Sequence, residues 1–114
     1  LTAVSNDYGY EKVFSRQVEA LLDPGDVVIA LSTGGNSANV VEAARVARER
    51  GGKVIALCGR GGGALAQLAD VSIIVPSNNT PRIQEAHIAV GHILCLLVEE
   101  KLSAAGRAPR PQVE

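Results

Sequence analysis

The 114 residues set 11 Lys and Arg against 12 Asp and Glu with the signs interspersed, and the net charge of −1 leaves no electrostatic footprint for nucleic acid. Tyr8, Tyr10 and Phe14 are the only aromatic residues, which removes base-stacking platforms, and no run approaches the ~20 apolar residues of a membrane span. The length suits a single domain with one layered core.

Leu1 to Ser5 is short and apolar, as a strand or the end of one would be, and Asn6-Asp7 breaks it. Asp7 stands where it could cap the next helix. Gly9 to Leu22 carries Val13, Phe14, Val18, Leu21 and Leu22 at helical spacing, and Pro24-Gly25 ends it. Val27 to Leu31 is an unbroken, β-branched apolar run, too short for a helix and apolar on both faces, as a central parallel strand must be. A polar loop follows, Ser32-Thr33-Gly34-Gly35-Asn36-Ser37. Next comes a helical stretch with Val40, Val41, Ala44, Val46 and Ala47 towards one side, closed by Gly51-Gly52.

Strand, small-residue loop and helix together present backbone N–H groups and a positive dipole end to an anion. The hydroxyls of Ser32, Thr33 and Ser37 add neutral donors. Two readings of this loop stand side by side: a phosphate site, or a tight turn in which Asn36 or Ser37 caps the helix. With no GxxxxGK[ST] and no lysine in the loop, a small phosphorylated metabolite fits better than a nucleotide.

Lys53 to Cys58 is a second fully apolar strand, and Gly59-Arg60-Gly61-Gly62-Gly63 then leads into a short helix from Ala64 to Leu68. These glycines do not make a dinucleotide fingerprint. The helix is too short and no acidic residue stands ~20 positions on to hold a ribose. They read as a flexible connection. Val71 to Val75 is the next strand, Ser77 to Pro81 a polar loop, and Arg82 to Leu102 the longest helix. In it Ile83, His87, Val90, Leu94, Leu97 and Lys101 form a stripe, while Ile88, Ile93, Leu96 and Val98 fall outside. A helix apolar nearly all round is covered on more than one side. One small sheet covers one side, so a second subunit is expected on the other. Cys58 and Cys95 lie in apolar stretches without metal-ligand spacing, which predicts buried thiols in a reducing cytoplasm. Ser103 to Glu114 reads as a polar tail.

Alternating strands and helices predict a doubly wound parallel α/β sheet flanked by helices, over residues 1–102. Ligands in such sheets bind beyond the carboxyl ends of the strands. Asn6-Asp7, Ser32 to Ser37 and the loop after Val75 all fall at that edge.

Three stretches, SNDYGYEKVFSRQVEAL, LSTGGNSANVVEAARVARERG and RIQEAHIAVGHILCLLVEEKL, resemble the sugar isomerase (SIS) domain family, and within it the bacterial phosphoheptose isomerases. The resemblance runs from Leu1 to about Leu102. It implies a five-stranded parallel sheet, a cytoplasmic homotetramer and a zinc-binding active site. The implied reaction converts sedoheptulose 7-phosphate to the heptose 7-phosphate of lipopolysaccharide synthesis. Asn6 and Asp7 then match a substrate-contacting pair, and Ser32, Thr33, Gly34 and Ser37 match the phosphate loop. Gln84 and His92 match side chains that touch metal or substrate, with His92 also a candidate for proton transfer. Gly34 stands where the family usually has serine, and Pro81 where it usually has aspartate. The family also carries a further half-domain before the position of Leu1, holding a sugar-binding loop, the first strand, helices, two more zinc ligands and the base. The chain therefore reads as part of a longer protein or as a truncated, non-catalytic paralogue.

An aldose–ketose isomerisation moves a proton between adjacent carbons, which calls for a base, an acid and an electropositive group for the oxyanion. An imidazole such as that of His92 suits the acid role; His87, inside the apolar stripe, reads as packing. Gln84 and His92 stand eight residues apart, about 12 Å along a regular helix and rotated by about 80°. They meet at one ion only if the helix starts irregularly or if they come from different subunits. Glu85 lies seven residues before His92, nearly on the same face. Two rivals to the enzyme are a non-catalytic SIS tetramer that associates with a replication initiator, and a sugar-phosphate-sensing regulatory domain. The scaffold type lacks a histidine at the position of His92.

Overall fold

The computed structural model describes residues 9–105. Leu1 to Tyr8, with the expected strand, the Asp7 cap and the Asn6-Asp7 pair, and residues 106–114 of the expected tail lie outside the described residues.

A 3-10 turn, Tyr10–Lys12, opens directly into α1, Val13–Leu21. The first strand, β1, spans Val27–Ser32 and leads through the small-residue loop into α2, Ala38–Glu49. Then come β2, Lys53–Gly59, the short α3, Gly63–Leu68, and β3, Val71–Val75. The last helix, α4, spans Thr80–Ala104. Among the described residues the sheet has three strands in the order β1-β2-β3, both pairs parallel, with Ile29 beside Ile55 and Leu57 beside Ile73. The parallel α/β arrangement expected from the alternation is what forms.

Side chains alternate across the strands, so Ala30, Val54, Ala56 and Cys58 share one face. They pack with Ala44 and Ala47 of α2 and Leu65 of α3, and Val18 of α1 and Leu22 just past its end close in. The small side chains of α2 explain its seat: alanines let the helix lie close over the sheet. A salt-bridge chain runs over its outer side, Lys12 to Glu42 at 3.0 Å, Glu42 to Arg45 at 2.6 Å, and Arg45 on to Glu49. Hydrogen bonds from Arg45 and Lys12 hold the Glu42 carboxyl well below the ordinary range, at about 2. This chain ties the opening 3-10 turn to α2.

The opposite face, carrying Ile29, Leu31 and Leu57, receives α4 only at its carboxyl end. Ile83 is fully buried against Gly59, where an added Cβ would come within 2.4 Å of its Cδ1. One turn on, His87 is buried with its Nε2 2.8 Å from the Cys58 carbonyl oxygen. The packing role read for His87 is confirmed. Elsewhere on this face Val27 and Leu31 are half exposed. On α4 itself Ile88, Ile93, Leu96, Leu97 and Val98 are all more than half exposed.

Three expectations need correction. The last helix starts at Thr80, not Arg82, because Asn79 caps it by accepting from the Arg82 N–H at 3.3 Å and Pro81 sits in the first turn, where no N–H is needed. It also runs through Ala104, past the expected start of the tail at Ser103. Cys58 is buried, but Cys95 is exposed on the open side of α4.

Candidate functional site

Two loops at the carboxyl edge of the sheet form one cleft of about 700 Å³, lined by Thr33, Gly34, Asn36, Ser37, Arg60, Gly61 and Gly63. The first loop is the one singled out in the sequence. The second, after β2, was expected to be a flexible connection and is instead tied down. Gly35 accepts from the Leu65 N–H at 2.9 Å through its carbonyl, and Asn36 Oδ1 accepts from the Ala64 N–H at 3.0 Å. Arg60 donates its own N–H to the Ser77 carbonyl at 3.0 Å. Gly35, at φ 75°, passes so close to Gly62 that a Cβ there would sit 1.9 Å from the Gly62 carbonyl oxygen. Only glycine fits both conditions. Asn36 thus caps a helix, but α3 rather than the α2 that follows it in sequence.

Ser37 is the N-cap residue of α2 yet makes no side-chain cap bond. Its hydroxyl pairs with that of Ser32 at 2.9 Å instead. Ser32 Oγ also accepts from the Gly35 N–H at 3.0 Å, and Ser32 is only 5% exposed. Ser32 therefore lies beneath the loop and outside the cleft lining, where it orients Ser37 and Gly35 rather than reaching a ligand. Thr33, Gly34 and Ser37 do line the cleft. The first turn of α2 carries no acidic residue that would offset the positive dipole end at the cleft.

Gln84 and His92 are both exposed on α4 and outside the cleft lining. The helix is regular through Gln84, which removes the irregular start that could have brought the pair together. His92 stands twelve residues beyond Thr80, about 18 Å along the helix axis. Glu85 is exposed and pairs with Arg82 at 3.4 Å. Among the described residues no three His, Cys, Asp or Glu side chains gather as a metal site. Gln84 and His92 alone do not fit a zinc ion, which takes three or four converging donors.

Sequence reasoning missed Arg60, Gly61 and Gly63. The signal was present in the rule already applied: loops after successive parallel strands share one edge, so the loop after Gly59 had to face the loop after Ser32.

A parallel sheet flanked by helices, with a cleft made by loops at the strands' carboxyl ends, is an α/β domain whose candidate ligand site lies at that edge. The SIS domain model matches residues 2–98, and the chain belongs to the SIS domain family. A phosphoheptose isomerase of Rhodospirillum rubrum is 61% identical over 102 residues, 90% of this chain and 54% of the relative. One of Aliarcobacter butzleri is 54% identical over 103 residues, again 90% of this chain and 54% of the relative. The structure of phosphoheptose isomerase GmhA from Neisseria gonorrhoeae superposes with a TM-score of 0.85 at 50% identity, covering 88% of this chain and 56% of that one. A phosphoheptose isomerase from Francisella tularensis gives 0.83 at 39% identity, covering 87% and 55%. The chain thus spans about half the length of the relatives it matches. Among the described residues no helix is long and apolar enough to cross a membrane.

Proposed function

We propose that this chain carries the phosphate-binding part of an aldose–ketose isomerase acting on sedoheptulose 7-phosphate, with D-glycero-D-manno-heptose 7-phosphate as product. The observation that supports this best is the cleft: Ser37 and Thr33 at the start of α2, over a neutral loop, in a chain 50–61% identical to several phosphoheptose isomerases. A phosphate there meets hydroxyl and backbone donors and the positive end of a twelve-residue helix. Asn6 and Asp7 belong to the same reading as substrate contacts. His92 is the proton-transfer group, and Gln84 a substrate contact on the same helix.

His92 stands about 18 Å along the helix axis from Thr80, the α4 residue that Arg60 of the cleft touches, and in this reading it serves the cleft of a neighbouring subunit. That reading requires a homo-oligomer, a tetramer in this proposal, and the exposed apolar side of α4 supports it. Light scattering on the complete gene product is expected to give the tetramer mass; a stable monomer would remove both the tetramer and the shared site. Zinc enters the reading only with donors beyond the described residues, and the proton transfer assigned to His92 stands without it. The reaction belongs to the cytoplasm, where sugar phosphates are made and used.

Ser37→Ala tests the cleft. Its loss removes a donor to a charged group and is expected to weaken sugar-phosphate binding by about 1–2 kcal/mol. Calorimetry showing wild-type affinity in this variant would take the phosphate site away from the loop.

A further inference from the structure

The donors that the β1–α2 loop offers are neutral, while a phosphate monoester is close to a dianion at neutral pH. The cleft lining contains one cation among the described residues, Arg60. We propose that Arg60 supplies the countercharge for the substrate phosphate, an assignment that rests on the cleft being the phosphate site.

Several observations place the guanidinium for this role. Arg60 follows the last residue of β2 and has a left-handed backbone, φ 54°, which a non-glycine residue adopts only when its surroundings hold it there. The Ser77 carbonyl does so by accepting the Arg60 N–H. The side chain lines the cleft. Its Nη2 donates to Thr80 Oγ1 at 3.0 Å, at the first residue of α4. Its Nη1 lies 3.3 Å from where a Cβ on Gly34 would be. The absence of a side chain at Gly34 therefore makes room for the guanidinium over the phosphate loop. No carboxylate pairs with Arg60 among the described residues, in contrast to Arg16, Arg45, Arg48 and Arg82, which all have acidic partners. A guanidinium has five N–H donors in a planar fork, and one bond to Thr80 leaves the fork able to take two phosphate oxygens.

The arrangement also explains why the glycine-rich loop after β2 is pinned to the loop after β1. A freely moving loop would carry its charge away from the anion. Arg60 bridges three segments, the loops after β1 and β2 and the start of α4, and a phosphate bound beneath it joins them further.

The test is calorimetry with inorganic phosphate on the complete gene product, comparing wild type, Arg60→Gln, Arg60→Lys and Ser37→Ala. Losing a charged donor is expected to weaken phosphate binding by about 10–100-fold in Arg60→Gln. Arg60→Lys should recover part of that affinity, as a point charge without the fork. Added salt should weaken the wild type more steeply than Arg60→Gln, because screening acts on the charge that the variant lacks. With the sugar phosphate, KM should rise in Arg60→Gln while kcat per folded molecule holds, the pattern of lost uniform binding. Unchanged phosphate affinity and salt slope in Arg60→Gln, alongside weakened binding in Ser37→Ala, overturns the role of Arg60 and leaves the cleft intact. No phosphate binding by the wild type overturns both.

Discussion

Replacing His92 with glutamine is expected to cut kcat by about 10²–10⁴-fold while leaving the melting temperature nearly unchanged. The rate loss corresponds to about 3–5 kcal/mol of barrier, the contribution of one acid–base group. Glutamine keeps a polar side chain of similar reach and can hydrogen-bond a substrate oxygen, but it cannot carry a proton between carbons. The structure sharpens the stability half of the expectation. Within the chain His92 is exposed on α4, so replacing it removes no packing from the domain's own core, and such substitutions usually move stability by less than about 0.5 kcal/mol. His87 provides the internal comparison. It is buried against the Cys58 carbonyl, so His87→Gln should lower the melting temperature and leave turnover per folded molecule far less affected. The assay is steady-state kinetics on the complete gene product, paired with thermal unfolding of each variant. Full turnover in a folded His92→Gln protein would remove His92 from the mechanism.

The contrast between the two histidines shows what sequence can and cannot separate. Both sit in one helix among apolar neighbours. Periodicity placed His87 in the stripe with Ile83, and these first two members of the stripe are buried where α4 meets the sheet, while Leu97 further along it is half exposed. His92 falls off the stripe. Its neighbours Val90, Ile93 and Leu94 are apolar, which by itself would favour burial, yet Ile93 is exposed in this chain. An apolar neighbourhood reports that a surface gets covered somewhere, without saying which chain covers it.

The strands were legible because buried parallel strands are continuous apolar runs, and Val71–Val75 forms over the residues read for it. The anion loop was legible from its small residues and hydroxyls. What escaped was the division of labour among them. Ser32, Thr33 and Ser37 look equivalent in sequence, but Ser32 is the last residue of β1 and its side chain faces the helix-covered side. It orients Ser37, which meets solvent. Asn36 looked like a cap for the helix next to it and instead caps the one across the cleft, 28 residues on. Long-range bonds of this kind leave no periodic trace. The strand-edge rule marked the loop of Arg60, but the bonds that fix its side chain and backbone run to Thr80 and Ser77 beyond the next strand.

Gly35→Ala is the substitution expected to cost the fold most. The methyl group would sit 1.9 Å from the Gly62 carbonyl oxygen and 2.4 Å from its carbon, both backbone atoms that no rotamer change can move. The residue would also hold a φ of 75°, which costs alanine about 1–2 kcal/mol relative to glycine. Overpacking adds about 1–3 kcal/mol, so the sum is about 2–5 kcal/mol, a large part of the 5–15 kcal/mol that keeps a domain folded. The only relief is for the two loops to part. Parting breaks the bonds from the Leu65 and Ala64 N–H groups, and opens the cleft between Ser37 and Arg60. Stability and phosphate affinity should therefore fall together. Gly61→Ala is the control: it lies in the same loop pair, and a Cβ there meets nothing within 4 Å. It should be within about 0.5 kcal/mol of wild type in urea unfolding. Equal unfolding midpoints for Gly35→Ala and Gly61→Ala would mean that the loops are not locked at Gly35, and that the cleft owes its shape to something else.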